Sequence, residues 1–192
     1  GTTGDCVTDA MPIVSSDEEP LILVDELDRV IGSRSKLACH KGNGVLHRAF
    51  SVFLFSDDGD VLLQRRSQEK LLWPGFWSNA CCSHPRVGED LLEAVHRRMA
   101  QELGVSTAVE FAYKFTYHAQ FDNVGSEHEL CSVWLGRVDV ASVVPNSNEI
   151  SEVQWISSEG LSQALIASPD DYTPWLRMEW SRLVQEFSGR LP

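Results

Sequence analysis

Apolar residues recur along this chain with two periods, and the change from one to the other divides it into strands and helices. Alternation, or a short apolar run bounded by Asp, Asn or Gly, marks a strand; apolar residues three and four apart mark a helix. LILVDELDRVIGS (21–33) predicts a β-hairpin turning at Glu26-Leu27-Asp28, and AFSVFLFSDDGDVLLQRR (49–66) predicts a second, turning at Asp58-Gly59. WPGFWSNACCS (73–83) reads as an irregular loop leading into a short strand. From Gly88 to Leu103 the spacing becomes helical, with Leu91, Leu92, Val95, Met99 and Leu103 on one face and Gly104 as the stop. AVEFAYKFTYHAQF (108–121) and EHELCSVWLGRV (127–138) predict two strands joined through Asp122-Asn123-Val124-Gly125, and EVQWIS (152–157) a further one. A helix is expected near Ser157–Ala167. A last one is expected over WLRMEWSRLVQEF (175–187), with Leu176, Trp180, Leu183, Val184 and Phe187 on one side. The order implies an α+β fold, helices packed on a mixed sheet.

At 192 residues, 43% of them hydrophobic, the chain can close one sizeable core. Residues 1–20 read as a flexible acidic leader and 21–192 as a single domain. The longest apolar runs fall far short of the roughly 20 residues that span a bilayer. A net charge of −12 argues against non-specific nucleic-acid binding, although a local basic cluster would still suit a small anion. An odd cysteine count, five, without a secretory-type start favours reduced thiols and a cytoplasmic protein. A monomer acting on a small molecule is expected.

Candidate chemistry sharpens this picture at two strands. Side chains alternate across a strand, so Cys82 and His84 share one face while Cys81 and Ser83 share the other. The same rule groups Glu127, Glu129 and Cys131, leaving His128 and Leu130 opposite. Two carboxylates on one face either meet water or have a positive group between them and the core, because unneutralised buried charge is costly. His40 and His47 bracket KGNGVL, which can fold both rings toward one point. With His84, three imidazoles and two carboxylates would make a five- or six-coordinate site for Mn²⁺, Zn²⁺ or Mg²⁺. His96, among charged neighbours on its helix, reads as a surface residue. On that helix Arg98 and Glu102 lie within roughly 20° of Leu91, at the rim of the core or directed into a pocket. Glu102 there would suit a second metal and Arg98 an anion. Lys36, Arg65, Arg66 and Lys70 read either as a phosphate-recruiting cluster or as scattered surface charge.

Ser83-His84-Pro85-Arg86-Val87-Gly88-Glu89, followed by Arg97, Met99, Glu102, Gly104 and Val105, resembles a degenerate Nudix box. Ser83 stands in place of its first Gly, Arg98 in place of the Glu after Arg, and Gln101 in place of the first of its paired Glu. These departures, with NACCSHP, HRAFSVFLF, WPGFWSN and SEHELC, are similar to the type I isopentenyl-diphosphate isomerase family over roughly Leu21–Phe187. The resemblance implies a Nudix-like sheet sandwiched by helices and interconversion of isopentenyl and dimethylallyl diphosphate in isoprenoid biosynthesis. It implies metal ligation by His40, His47, His84, Glu127 and Glu129, a catalytic thiol at Cys82 and a partner acid/base at Glu129. Glu102 would hold a second ion, Mg²⁺, with the substrate diphosphate. Lys36, Arg66, Lys70 and Arg98 match diphosphate contacts, and Tyr117 and Trp175 match aromatic residues beside the reacting carbon. The chemistry needs such a set: protonating an alkene creates a tertiary carbocation, so two acid/base groups must flank it and an indole face can attract it. A Nudix hydrolase of a nucleoside or prenyl diphosphate and a non-catalytic zinc domain are the competing readings.

Overall fold

The structure, a computed structural model, describes residues 11–192. Half of the expected leader, residues 1–10, lies outside the described residues. Residues 11–19 form no helix or strand but are tied down: Asn146 and Asn148 side chains bond the Pro12 and Met11 carbonyls, and the Leu37 amide bonds the Asp17 carbonyl.

β1 (Pro20–Val24) and β2 (Val30–Ser35) form the first hairpin, with Asp28 in the left-handed conformation that Asp tolerates in turns. A one-turn helix, α1 (Lys36–His40), follows directly, capped by the Ser35 hydroxyl. Its short apolar content carries no periodic signal, and sequence reading missed it.

The second hairpin forms only at its turn. β3 (His47–Phe55) and β4 (Val61–Arg66) pair at Phe55↔Val61 alone and then part. The segment Trp77–Ser83 fills the gap. Its first strand, β5 (Trp77–Asn79), pairs with β4, and its second, β6 (Cys81–Ser83), pairs with β3. The Asn79 amide bonds the Val52 and Cys81 carbonyls, satisfying backbone groups where the ladder changes partner. An adjacent pair of hydrophobic runs suggests a full hairpin, but the better-matched partner for each strand comes from elsewhere in the chain.

β7 (Val109–Phe121) and β8 (Gly125–Arg137) form the expected long hairpin, and β8 lies parallel to β3 over its whole length, His47↔Glu129 to Phe55↔Arg137. β9 (Ile150–Ile156) pairs with β4. The result is a mixed sheet between helices. α2 (Leu91–Leu103) covers one face, capped by Asp90 and stopped by left-handed Gly104, over Phe50, Val52, Leu54 and Cys81. α3 (Ser158–Ala167) and α4 (Pro174–Glu186) cover the other, over Phe53, Phe55, Val133 and Leu135. Two residues assigned to apolar helix faces are exposed, Leu92 at 39% and Val184 at 40%. Val184 lies at the margin of its sector, beyond Trp180, and Leu92 stands in the first turn of α2.

The sheet face under α4 changes chemistry half-way along two strands. β3 presents His47, Ala49 and Ser51 and then Phe53 and Phe55; β8 presents Glu127, Glu129 and Cys131 and then Val133 and Leu135. The apolar halves bury against α4 and drive folding. The polar halves open into a cavity.

Candidate active site

That cavity, about 490 Å³, is lined at one end by His40, His84, Glu127, Glu129 and Cys82. At the other end stand Lys36, Arg66, Lys70 and Arg98, and Tyr117 and Trp175 also line it.

Ligand atoms of His40, His47, His84 and Glu127 all lie within 4.8 Å of one another. Glu129 joins them, its Oε2 3.2 Å from His47 Nε2 and 2.9 Å from His84 Nε2. Strand register makes this possible, since His47 is the cross-strand partner of Glu129. His47 Nδ1 donates to the Val45 carbonyl at 2.7 Å, which orients the ring so that Nε2 faces the cluster. His40 Nε2 and Glu127 Oε2 are buried 3.1 Å apart, yet neither makes a well-aligned hydrogen bond. Orphaned polar atoms that converge with a three-imidazole, two-carboxylate set are what a divalent cation would satisfy, so the residues fit one. Gly125 lets α1 approach: any side chain there would collide with the His40 carbonyl.

The Tyr117 hydroxyl donates to Glu129 Oε1 from the neighbouring register position. Burial disfavours the ionised carboxyl of Glu129, but the His47 hydrogen bond and charge and the Tyr117 hydroxyl outweigh it and hold Glu129 below the usual carboxylate range. Burial pushes the Cys82 thiol up, so it is neutral around pH 7. Its sulfur is gripped from behind, 2.9 Å from Asn79 Oδ1 and 3.4 Å from Ser51 Oγ. Cys81 points to the opposite face, where its thiol bonds Glu102 at 3.3 Å under α2. The parity assignment of the two sulfurs therefore holds.

Arg66 donates to the Leu72 and Trp73 carbonyls at 2.8–3.2 Å, and its guanidinium lies 5.2 Å from the Trp175 ring centre. Trp73 adopts φ 47°, a strained conformation for a bulky residue, in turning these carbonyls toward Arg66. Trp175 is buried, and its indole N–H donates to Ser78 Oγ at 2.9 Å. Lys70 is ion-paired with Glu149, which also lies 3.8 Å from Arg98. Burial, with the charges of Lys36 and Arg66, brings the Lys70 ammonium down to about 8. Burial disfavours the charged form of Glu149 as well, but Lys70 overrides it and brings that carboxyl down to about 2. Glu102 is buried against Arg98 at 3.0 Å and is not among the cavity's lining residues. Arg65 points elsewhere, bonding the Gly75 carbonyl. Sequence reading missed Ser51, Ser78, Glu149 and Glu179, which hold the named residues in place.

A NUDIX domain matches residues 45–176. The chain is 39% identical over 175 residues to isopentenyl-diphosphate Delta-isomerase 1 of Photorhabdus laumondii, covering 90% of this chain and 99% of that one. It is 41% identical over 166 residues to isopentenyl-diphosphate Delta-isomerase of Salmonella typhi, covering 85% and 91%. The chain belongs to the isopentenyl-diphosphate Delta-isomerase family, within the Nudix fold. Among solved structures, DR0079 from Deinococcus radiodurans superposes with TM-score 0.71 at 25% identity, covering 85% of this chain and 98% of that one. The MutT protein from Methanosarcina mazei shares the fold, with TM-score 0.61 and 22% identity over 74% of this chain and 95% of its own. Membership of the isomerase family fits the altered Nudix box: Arg98 stands where a Nudix hydrolase has a carboxylate and is itself the counter-ion of Glu102. Among the described residues no helix is long and apolar enough to cross a membrane.

Proposed function

We propose that the protein interconverts isopentenyl and dimethylallyl diphosphate with Cys82 and Glu129 as its two acid/base groups. The observation that carries this reading is one cavity with a neutral thiol and a carboxyl at one end and four basic side chains at the other. The basic end suits a diphosphate. Lys36 and Arg66 meet it from opposite elements, and Lys70 and Arg98 can turn to it from Glu149. Anchoring there directs the hydrocarbon tail toward Trp175, Tyr117 and Cys82.

In the forward direction a proton adds to the terminal CH₂ of the alkene, the positive charge develops at the tertiary carbon, and a proton leaves the adjacent CH₂. Glu129 with Tyr117 is suited to one transfer and Cys82 to the other, because they approach from β8 and β6. The buried wall excludes water, which would otherwise trap the cation as an alcohol. The Trp175 face supplies about 0.5–2 kcal/mol of cation attraction, and the Ser78 bond fixes the ring that provides it.

A divalent ion, Mn²⁺, Zn²⁺ or Mg²⁺, held by His40, His47, His84, Glu127 and Glu129 would fix the Glu129 carboxyl and tune its proton affinity. Mg²⁺ accompanying the diphosphate would draw on the hard carboxylate oxygens of Glu102 only after that side chain left Arg98 and Cys81, which hold it outside the cavity lining. Incubation with isopentenyl diphosphate and Mg²⁺ or Mn²⁺, followed by proton NMR, is expected to show dimethylallyl diphosphate and no phosphate release. Phosphate or monophosphate without isomer would overturn the reading in favour of a hydrolase.

A further inference from the structure

Behind Cys82 lies a carboxyl that the reaction above does not use. Glu179 stands on α4 one turn after Trp175 and is fully buried. Its Oε2 lies 2.9 Å from the Ser51 hydroxyl and 3.9 Å from the Cys131 thiol, while Oε1 has no partner. Burial pushes this carboxyl well above its ordinary range, and the Glu129 charge pushes it the same way, against the hydrogen bonds of Ser51 and Cys131. As filler it is a poor choice, since a leucine beside Leu176 and Trp180 would pack without leaving an oxygen unsatisfied. The helix turn is also pinned: the Tyr113 hydroxyl donates to the Glu179 backbone carbonyl at 2.9 Å.

Ser51 links this acid to the cavity. It is the register partner of Cys82 across the β3–β6 ladder, and its Oγ lies 3.4 Å from both Cys82 Sγ and Cys131 Sγ. A serine hydroxyl has one proton to give and two lone pairs to offer. A protonated carboxyl behind it donates to Ser51 Oγ and leaves the hydroxyl proton for a sulfur. A carboxylate takes that proton and leaves Ser51 only an acceptor. Asn79 Oδ1 can only accept, and the Ser78 hydroxyl, farther from this sulfur at 3.9 Å, gives its proton to Asn79 Oδ1, so the Ser51 hydroxyl is the nearest donor to the Cys82 sulfur.

We propose that Glu179 is a positioning residue for the isomerisation, acting through the Ser51 hydroxyl to set the direction of the hydrogen bond at the Cys82 sulfur. The inference rests on the isomerase reading of Cys82. Four variants test it: Glu179→Gln, Glu179→Leu, Ser51→Ala, and Glu179→Leu combined with Ser51→Ala. The Gln amide can donate to Ser51 as the acid does, so kcat is expected to stay within about twofold of wild type, whereas Leu and Ser51→Ala each lower it about tenfold at unchanged KM. Because both act on one hydrogen bond, the double variant is expected to fall no further than either single one. Wild-type kcat in Leu and Ser51→Ala, losses that multiply in the double variant, or a Gln variant as poor as Leu would each overturn the proposal.

A second measurement does not depend on turnover. Alkylation of Cys82 by iodoacetamide, followed by mass spectrometry, is expected to be about threefold slower in Ser51→Ala and unchanged in Glu179→Gln. Equal rates in all three proteins would count against the proposal, and this comparison decides it if Glu179→Leu does not fold. Failure of the wild type to form dimethylallyl diphosphate would overturn the isomerase reading alone, and the alkylation rates would still report whether Ser51 and Glu179 act on Cys82.

Discussion

The two ends of the cavity are built in different ways. At the acid/base end the side chains are placed by strand register: His47 and Tyr117 are both cross-strand partners of Glu129, and Ser51 is the partner of Cys82. At the basic end they come from unlike pieces: the first residue of α1, the last of β4 beside a bulge, a loop and α2. Side-chain contacts hold these together, with Glu149 between Lys70 and Arg98 and the segment around Val14 and Ser15 bonded to Arg98. Register fixes position to a fraction of an ångström, which proton transfer requires. Ion pairs can be exchanged, which suits an anion that must arrive and leave.

If that contrast is correct, damage at the first end should strike turnover and damage at the second should strike binding. The largest effect is expected from Cys82→Ala, with kcat falling by about 10²–10⁴-fold and little change in KM, as for loss of one acid/base group; retention of turnover would remove Cys82 from the reaction. Gly125→Ala follows, because its Cβ meets the His40 carbonyl. It is expected to cost at least about 2 kcal/mol in urea unfolding and to lower the metal content measured by elemental analysis. Arg66→Met should raise KM by about 30-fold, equivalent to about 2 kcal/mol for a lost charge-assisted contact, with kcat nearly unchanged. A fall in kcat instead would erase the distinction between the ends.

A smaller effect comes from pH. Lys70 carries its charge below its lowered value of about 8 and loses it as pH rises through that value. The free enzyme's kcat/KM is therefore expected to decline above about pH 8, through KM, and Lys70→Arg should move that decline upward. Glu149, held near 2, stays ionised throughout and contributes no limb there. A profile flat to about pH 9 would exclude Lys70 from substrate capture. The smallest effect is Cys81→Ala, about 1 kcal/mol of stability from lost packing under α2, with kcat near wild type. A large loss of turnover would mean that the two faces of β6 are not chemically separate.

Much of this was legible because it is local. Alternation along a strand is a property of the backbone, so CCSH alone separates Cys82 from Cys81, and SEHELC alone groups Glu127 with Glu129. The turns at Asp28 and Asp122 and the stop at Gly104 are equally local. What failed was pairing. Nothing within residues 49–66 says that β3 and β4 will part, since that depends on Trp77–Ser83 finding an edge on each. Glu179 failed differently. It lies three residues after Leu176 and four before Leu183, inside the apolar sector of α4, and the spacing alone does not say whether a carboxyl there meets a partner. Glu149 sits in a loop whose contact with Lys70 spans 79 positions, which no window reveals.

By itself, then, the sequence determined the elements, the face on which each reactive side chain stands, and the chemical classes available to a site, because φ/ψ periodicity and turn chemistry act over a few residues. Only the tertiary structure decided which faces meet: that β8 runs parallel to β3 so that His47 faces Glu129, that β6 rather than β4 borders the middle of β3, and that α4 brings Glu179 behind Cys82. Those choices rest on competition among distant surfaces for burial and backbone partners, and that competition is settled only when the whole core closes.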